Sequence, residues 1–328
     1  MPVIHVVRIG AVIAAIASAG LLLPADWSLM QWLFGKPDAA TVAARNLRAT
    51  LTPARVNAEL KSALHTGDKH LAESFVELAR QESIAIDPAL RQRYDNEVGG
   101  IINSVIEGAR GIWQGKCTST SAFVGTQIGN GLSFGDMRDL YDQAANYSNG
   151  RPTDALVIGL AAVGVLSTAT AAIPFHVATS TIKGLAKADR LSPLFRRELT
   201  EALAIGLDTE GILKAVSQLG CNVLPSIGWN SWLPDFSWPF VTDKLPQLIG
   251  AIGSSVQLSK LGMFNQLAGN VVSLTGNAGI CGAQDALALA QGAADLDRLT
   301  RLSDRTKLAT AAILKLLGHE AVLLPNQS

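Results

Sequence analysis

Charge is scarce in this chain: Asp, Glu, Lys and Arg together make up 16% of its 328 residues, against about 25% in ordinary soluble proteins. The 27 basic and 27 acidic side chains cancel, so no excess of positive charge exists to displace counterions from a nucleic acid. Blocks of like charge, which would make a solvated tail, are missing too. Cysteine is limited to Cys117, Cys221 and Cys281, widely spaced and without a C-x-x-C pair. An odd count gives no disulfide framework, and the five scattered histidines do not complete a zinc site. These cysteines read as small buried hydrophobes. Strand-like alternation of apolar and polar residues is also scarce, which points to an all-α chain.

Catalytic signatures are absent as well. GIWQGKCT at 111–118 approaches a phosphate loop, but Arg110 and Cys117 stand where G-x-x-x-x-G-K-[ST] needs glycine and a hydroxyl. His319-Glu320 lacks the second histidine of a zinc protease helix, and no G-x-S-x-G occurs. No cofactor or metal site is expected.

Apolar residues, by contrast, account for 48% of the chain. The run Ala155 to Phe175, ALVIGLAAVGVLSTATAAIPF, holds no charge. About 20 such residues in a helix match the ~30 Å hydrocarbon core of a bilayer, so the pattern predicts a transmembrane helix at about 155–175. A second apolar segment, Ile9 to Pro24, follows His5 and Arg8. It reads as an uncleaved amino-terminal anchor, the alternative being a signal peptide cut after Ala17-Ser18-Ala19. Lys183, Lys187, Arg190, Arg196 and Arg197 follow the central run, and such a flank is expected in the cytoplasm. The expected topology therefore has the amino terminus inside, residues 26–153 in the periplasm, and the carboxyl-terminal part back in the cytoplasm. Cys117 would then be separated from Cys221 and Cys281.

Helix signals divide the rest. Thr52-Pro53, Asp87-Pro88 and Ser192-Pro193 each place a capping side chain before a proline suited to the first helical turn. Apolar residues three or four apart (Val56, Leu60, Leu64; Leu71, Phe75, Leu78; Leu90, Tyr94, Val98) predict an amphipathic bundle within residues 26–110. Residues 111–200 form a glycine-rich region that contains the apolar run, with Asn149-Gly150-Arg151-Pro152 as a turn. Residues 201–328 are helical apart from a tryptophan- and proline-rich loop at 224–240, whose Trp229, Trp232 and Trp238 suit a membrane interface. Lys307 and Lys315 suit the final helix to lying on a membrane surface rather than crossing it. The fold class expected is thus a helical membrane protein with an extracytoplasmic bundle and a cytoplasmic helical tail.

The densest acidic group is Asp136, Asp139 and Asp142, with Arg138 among them. Spacing by three puts the acids on one helix face, as a divalent-metal or acid–base pair requires. A solvated face, with Asp136 capping the helix and Arg138 pairing with Asp142, uses the same residues without chemistry. His176, at the end of the apolar run, reads as an interface residue.

Four segments in order, LAESFVELARQESIAIDPALRQRY, FGDMRDLYDQAANYSNGRPTDALVIGLAAVGVLSTATA, IKGLAKADRLSPLF and ALALAQGAADLDRLTRLSDRTKLATAAILKLLGHEAVLL, resemble a group of uncharacterised proteobacterial, chiefly alphaproteobacterial, membrane proteins. The G-D-x-R-D pattern ahead of a glycine-rich apolar helix is the most specific part. The resemblance implies a bacterial inner-membrane setting and brings no activity, cofactor or catalytic residue. Three roles remain: a non-enzymatic scaffold that docks a partner protein or a second copy of itself, an oligomeric pore or transport component, and a membrane-bound hydrolase using the Asp136–Asp142 face.

Overall fold

Capping residues set the helix starts. Thr52 Oγ1 accepts a hydrogen bond from Arg55 N at 3.2 Å, with Pro53 in the first turn, and Ser192 Oγ accepts from Phe195 N at 3.2 Å ahead of Pro193. Asp68 and Asp208 do the same for Leu71 N and Gly211 N, at 3.0 and 2.9 Å. Each side chain satisfies an amide that the first helical turn leaves without a carbonyl. Gly67, at φ 71°, closes the preceding helix in the left-handed conformation that glycine adopts without steric cost.

The computed structural model describes residues 39–98, 132–169, 173–219 and 245–318. These form α1 (Ala39–Thr50), α2 (Pro53–Thr66), α3 (Lys69–Gln81), α4 (Pro88–Val98), α5 (Leu132–Ser148), α6 (Ala155–Ala169), α7 (Ile173–Lys187), α8 (Pro193–Ala204), α9 (Thr209–Gln218), α10 (Leu245–Ser254), α11 (Gly262–Leu289), α12 (Ala293–Thr306) and α13 (Thr310–Leu317). Short 3-10 turns at Leu258–Lys260 and Lys307–Ala309 precede α11 and α13. The chain is all-α, and the sole β contact among the described residues is an isolated bridge between Leu207 and Val256. The amino-terminal segment 1–25, the glycines at 111–131, Cys117, Cys221 and the loop 224–240 with Trp229, Trp232 and Trp238 lie outside the described residues.

The central apolar run has a different setting from the one expected. Its helix, α6, has 15 residues and is about 22 Å long, short of the ~30 Å a bilayer core demands. Every residue from Leu156 to Val165 is buried, because α5, α7, α8, α9 and α10 surround α6. A helix apolar on all faces needs apolar surroundings on all faces, and here other helices supply them. Among the described residues no helix is long and apolar enough to cross a membrane. The expected transmembrane helix at about 155–175 is therefore replaced by a core helix over its described part. Gly159 permits a close approach of α8, since a Cβ there would lie 3.0 Å from Leu203 Cδ1 and 3.1 Å from Leu207 Cδ1.

The two flanks of the run also meet. Ser74 on α3 donates to Leu308 O at 2.7 Å and accepts from Ala312 N at 2.8 Å, while Arg55 Nη2 donates to Leu316 O at 3.1 Å. Helices α1 and α3 pack on α12 and α13, and one apolar core extends from Ala43 to Leu317. Segments expected on opposite faces of a bilayer thus share a single interior. Ile313, Leu314, Leu316 and Leu317 of α13 point into that core rather than onto a membrane surface.

Cys281 is 2% exposed, as a small hydrophobe would be. It stands two residues beyond Gly279, whose φ of 72° and ψ of 171° interrupt the helical path of α11. Positive φ at that break is a conformation in which a Cβ is strained.

Removal of the Ser74 hydroxyl strands a buried amide and a carbonyl at the seam between the two ends of the chain. Ser74→Ala should lower stability by about 1–3 kcal/mol in urea unfolding. An unchanged midpoint would mean that the seam is not formed.

Candidate functional site

Two of the three acids singled out in the sequence, Asp136 and Asp139, end up inside the protein. On α5, Asp136 and Asp139 are three residues apart and share a face; on α7, Lys183 and Lys187 are four apart and do likewise. The two faces meet beside α6. Asp136 Oδ1 accepts a hydrogen bond from Lys183 Nζ, Lys183 Nζ lies 2.8 Å from Asp139 Oδ2, and Lys187 Nζ donates to Asp139 Oδ1 at 2.7 Å. His176, seven residues before Lys183 and so on the same face of α7, brings Nδ1 to 3.5 Å from Asp136 Oδ2. The result is a ladder in which the α5 acids alternate with the α7 side chains: His176, Asp136, Lys183, Asp139, Lys187.

Burial grades along this ladder. The Asp136 side chain is fully enclosed, those of Asp139 and Lys183 nearly so, and that of Lys187 is 40% exposed. Gly164 of α6 makes room at the deep end, where a Cβ would lie 2.6 Å from Asp136 Cγ. Asp136 is consequently no helix cap: α5 begins at Leu132, and the carboxylate sits within the helix against a neighbouring backbone.

Electrostatics follow from that gradient. Burial pushes Asp136 up to about 6, against the pull of the Lys183 ammonium. For Asp139 burial acts in the same direction, but Lys183 and Lys187 together outweigh it and hold the carboxyl below its ordinary value. Burial would lower Lys183; the carboxylates of Asp136 and Asp139 overcome it and raise its pKa. His176 is held down to about 4 by burial and by repulsion from Lys183, with the Gly164 backbone working the other way. Near neutral pH the ladder therefore carries two carboxylates, two ammonium groups and a neutral imidazole, with no net charge.

Asp142 and Arg138 are not part of it. Four residues apart, they share another side of α5, where Asp142 is exposed. Burial raises the Asp142 pKa and the Arg138 charge offsets this in part. The structure thus divides the acidic group between an internal pair, Asp136 and Asp139, and a surface residue. It also adds Lys183 and Lys187, which in sequence read only as a topological flank. Their spacing of four, facing acids spaced by three across an apolar helix, was the signal available. A cation binding both acids would have to displace two ammonium groups. Among the described residues no three His, Cys, Asp or Glu side chains gather as a metal site.

A second buried polar region lies between α3 and α11. His70 is 3% exposed and held down to about 4 by burial; its Nε2 would be 3.6 Å from a Cβ at Gly282. Gln284, three residues past Cys281, is also buried, with neither amide atom hydrogen-bonded.

No family model matches the chain, and no curated protein or solved structure is similar to it.

Two outcomes test the ladder. Lys183→Met leaves Asp136 as an uncompensated buried charge and should cost about 3–5 kcal/mol, whereas Lys187→Ala, at the exposed end, should cost about 1 kcal/mol or less. Equal losses in urea unfolding would contradict the burial gradient.

The pH dependence has a defined sign. The folded chain refuses the His176 proton between pH 6.5 and about 4 while the unfolded chain accepts it, so that share of stability is lost as pH falls through the window. For Asp136 the folded chain accepts the proton first, between about 6 and 3.8, so its share moves oppositely. Between pH 7 and 4.5, His176→Gln should gain on the wild type and Asp136→Asn should fall behind it, each by on the order of 2 kcal/mol. Parallel pH profiles for wild type and His176→Gln would exclude a buried neutral imidazole.

Proposed function

We propose that this protein is a non-enzymatic helical scaffold that docks a partner protein, tethered to a bacterial inner membrane by its apolar amino-terminal segment. The observation that carries this reading is the internal pairing of Asp136 and Asp139. The acids that would serve a membrane-bound hydrolase are engaged by Lys183 and Lys187, and burial leaves Asp136 no face towards solvent. Their strength goes into fixing α5 and α7 on either side of α6.

The exposed apolar side chains supply the second support. Ile205 is 57% exposed, Leu258 58% and Met263 45%. They belong to one corner, where Gln257 N donates to Gly206 O at 2.7 Å and Asp208 N donates to Ser255 O at 3.0 Å. That crossing brings the end of α8 beside the 3-10 turn that leads into α11. Scattered exposed apolar residues are ordinary, but a group of three large ones on a rigid crossing suits the apolar patch of a partner protein. The amino-terminal apolar segment, and the resemblance to alphaproteobacterial membrane proteins, support the bilayer as the place where that partner is met.

A photo-crosslinking residue placed at Leu258 of the full chain, in membranes of the source bacterium, should give one discrete protein adduct. Ile205→Asp should remove that adduct while the circular dichroism of the purified chain stays helical. A metal-dependent hydrolysis that Asp136→Asn and Asp139→Asn both abolish, with the helical signal kept, would overturn the scaffold reading.

A further inference from the structure

We infer that α12 and α13 are the two arms of one helix, held bent at Lys307 in this structure and straightened when the side chains that clamp the bend let go. The sequence supplies the first reason. From Ala293 to Leu317 the chain holds neither glycine nor proline and is rich in Ala, Leu, Arg and Lys, while Gly292 and Gly318 stand just outside. Such a stretch favours one continuous helix. In that helix Leu299, Leu302, Thr306, Ala309, Ile313 and Leu316, spaced alternately by three and four, line a single stripe that is apolar at all but Thr306.

The backbone departs from a continuous helix at one residue. Lys307 takes φ 49° and ψ −129°, a conformation that glycine adopts freely and that a residue with a Cβ adopts under strain. A 3-10 turn over Lys307–Ala309 joins the two arms there. Such a short 3-10 stretch in a helical sequence marks a hinge or local strain.

Clamps from α3 and α11 hold the bend. The Ser74 hydroxyl donates to Leu308 O at 2.7 Å and accepts from Ala312 N at 2.8 Å. Those two backbone groups are four residues apart, the pair that an α-helix joins directly, so Ser74 stands in the place of one helical hydrogen bond. Gln81 Nε2 donates to Thr306 O at 3.2 Å, and Lys307 Nζ donates to Asn277 Oδ1 at 2.7 Å. Asn277 is fixed in turn by Asp304, whose Oδ1 accepts from its Nδ2 at 2.6 Å.

Straightening strands none of the clamped backbone groups. Thr306 O, Lys307 O and Leu308 O each gain the amide four residues on, at Thr310, Ala311 and Ala312. Burial opposes it, because α13 packs on α1, α3 and α11 and keeps Ile313, Leu314 and Leu316 from water. Two arrangements of one segment therefore compete: helix propensity and a relaxed Lys307 favour the straight form, clamps and buried area the bent one.

The test reads exposure of the α13 side chains separately from its backbone. In the full chain carrying Leu314→Cys, native-state alkylation is followed on the peptide that holds the introduced thiol. A second chain carrying Leu160→Cys, at a wholly buried position in α6, measures global unfolding. After correction for intrinsic rates, the thiol in α13 should react about tenfold or more faster than the one in α6, and faster than the α13 amides exchange hydrogen. Adding Lys307→Gly should slow the α13 reaction about tenfold, since glycine relieves the strained φ and disfavours the straight helix. Lys307→Ala should speed it several-fold, since the strain stays and the Asn277 clamp goes. Equal reactivity of the two thiols, α13 amides that open as readily as its thiol, or shifts of the same sign from Lys307→Gly and Lys307→Ala would each overturn the inference. The docking corner of Ile205, Leu258 and Met263 involves none of these residues, so that reading stands or falls separately.

Discussion

The contact between Asp136 and Lys183 is the constraint on which the centre of this fold depends. Each group alone would cost several kcal/mol to remove from water, and together they remain tolerable only while the geometry keeps them paired. Asp136 belongs to α5 and Lys183 to α7, and Gly164 of α6 supplies the space between them. A slip of either helix by one turn would separate the pair inside an interior of wholly buried apolar side chains such as Leu160 and Ile182. Apolar contacts tolerate such slips far better, because they are non-directional and depend mainly on area. The ladder thereby selects one register of three helices among several that would bury similar apolar surface.

Position within the ladder divides the labour. At the deep end, Asp136 and the neutral His176 are held against the α6 backbone, where any change of protonation alters stability. At the shallow end Lys187 is hydrated and Asp139 keeps a stable charge between two ammonium groups. Opposite signs of response from His176 and Asp136 mean that moderate acidification shifts the balance between neighbours more than it shifts the total. The arrangement fixes the register of α5 and α7 against α6.

Much of the local architecture could be read in advance. Thr52-Pro53, Ser192-Pro193 and the Asn149-Gly150 turn all occur where side-chain and backbone chemistry place them, since capping and positive φ are settled within a few residues. The pairing of Asp136 with Asp139 on one face was legible for the same reason. Their partners were not, because Lys183 lies 47 residues away and nothing local marks which face of α7 turns towards α5. Ser74 meeting Leu308, 234 residues on, is a plainer case of a contact that no periodicity encodes.

The chain by itself determined that it is helical, where most helices begin, and that Ala155 to Phe175 must be kept from water. It could not determine what would keep the water out. An apolar helix transfers almost as favourably into a protein interior as into hydrocarbon, so composition leaves the two solvents degenerate. Only the tertiary structure breaks that degeneracy for α6, because its neighbours in sequence, α5 and α7, close around it together with α8, α9 and α10.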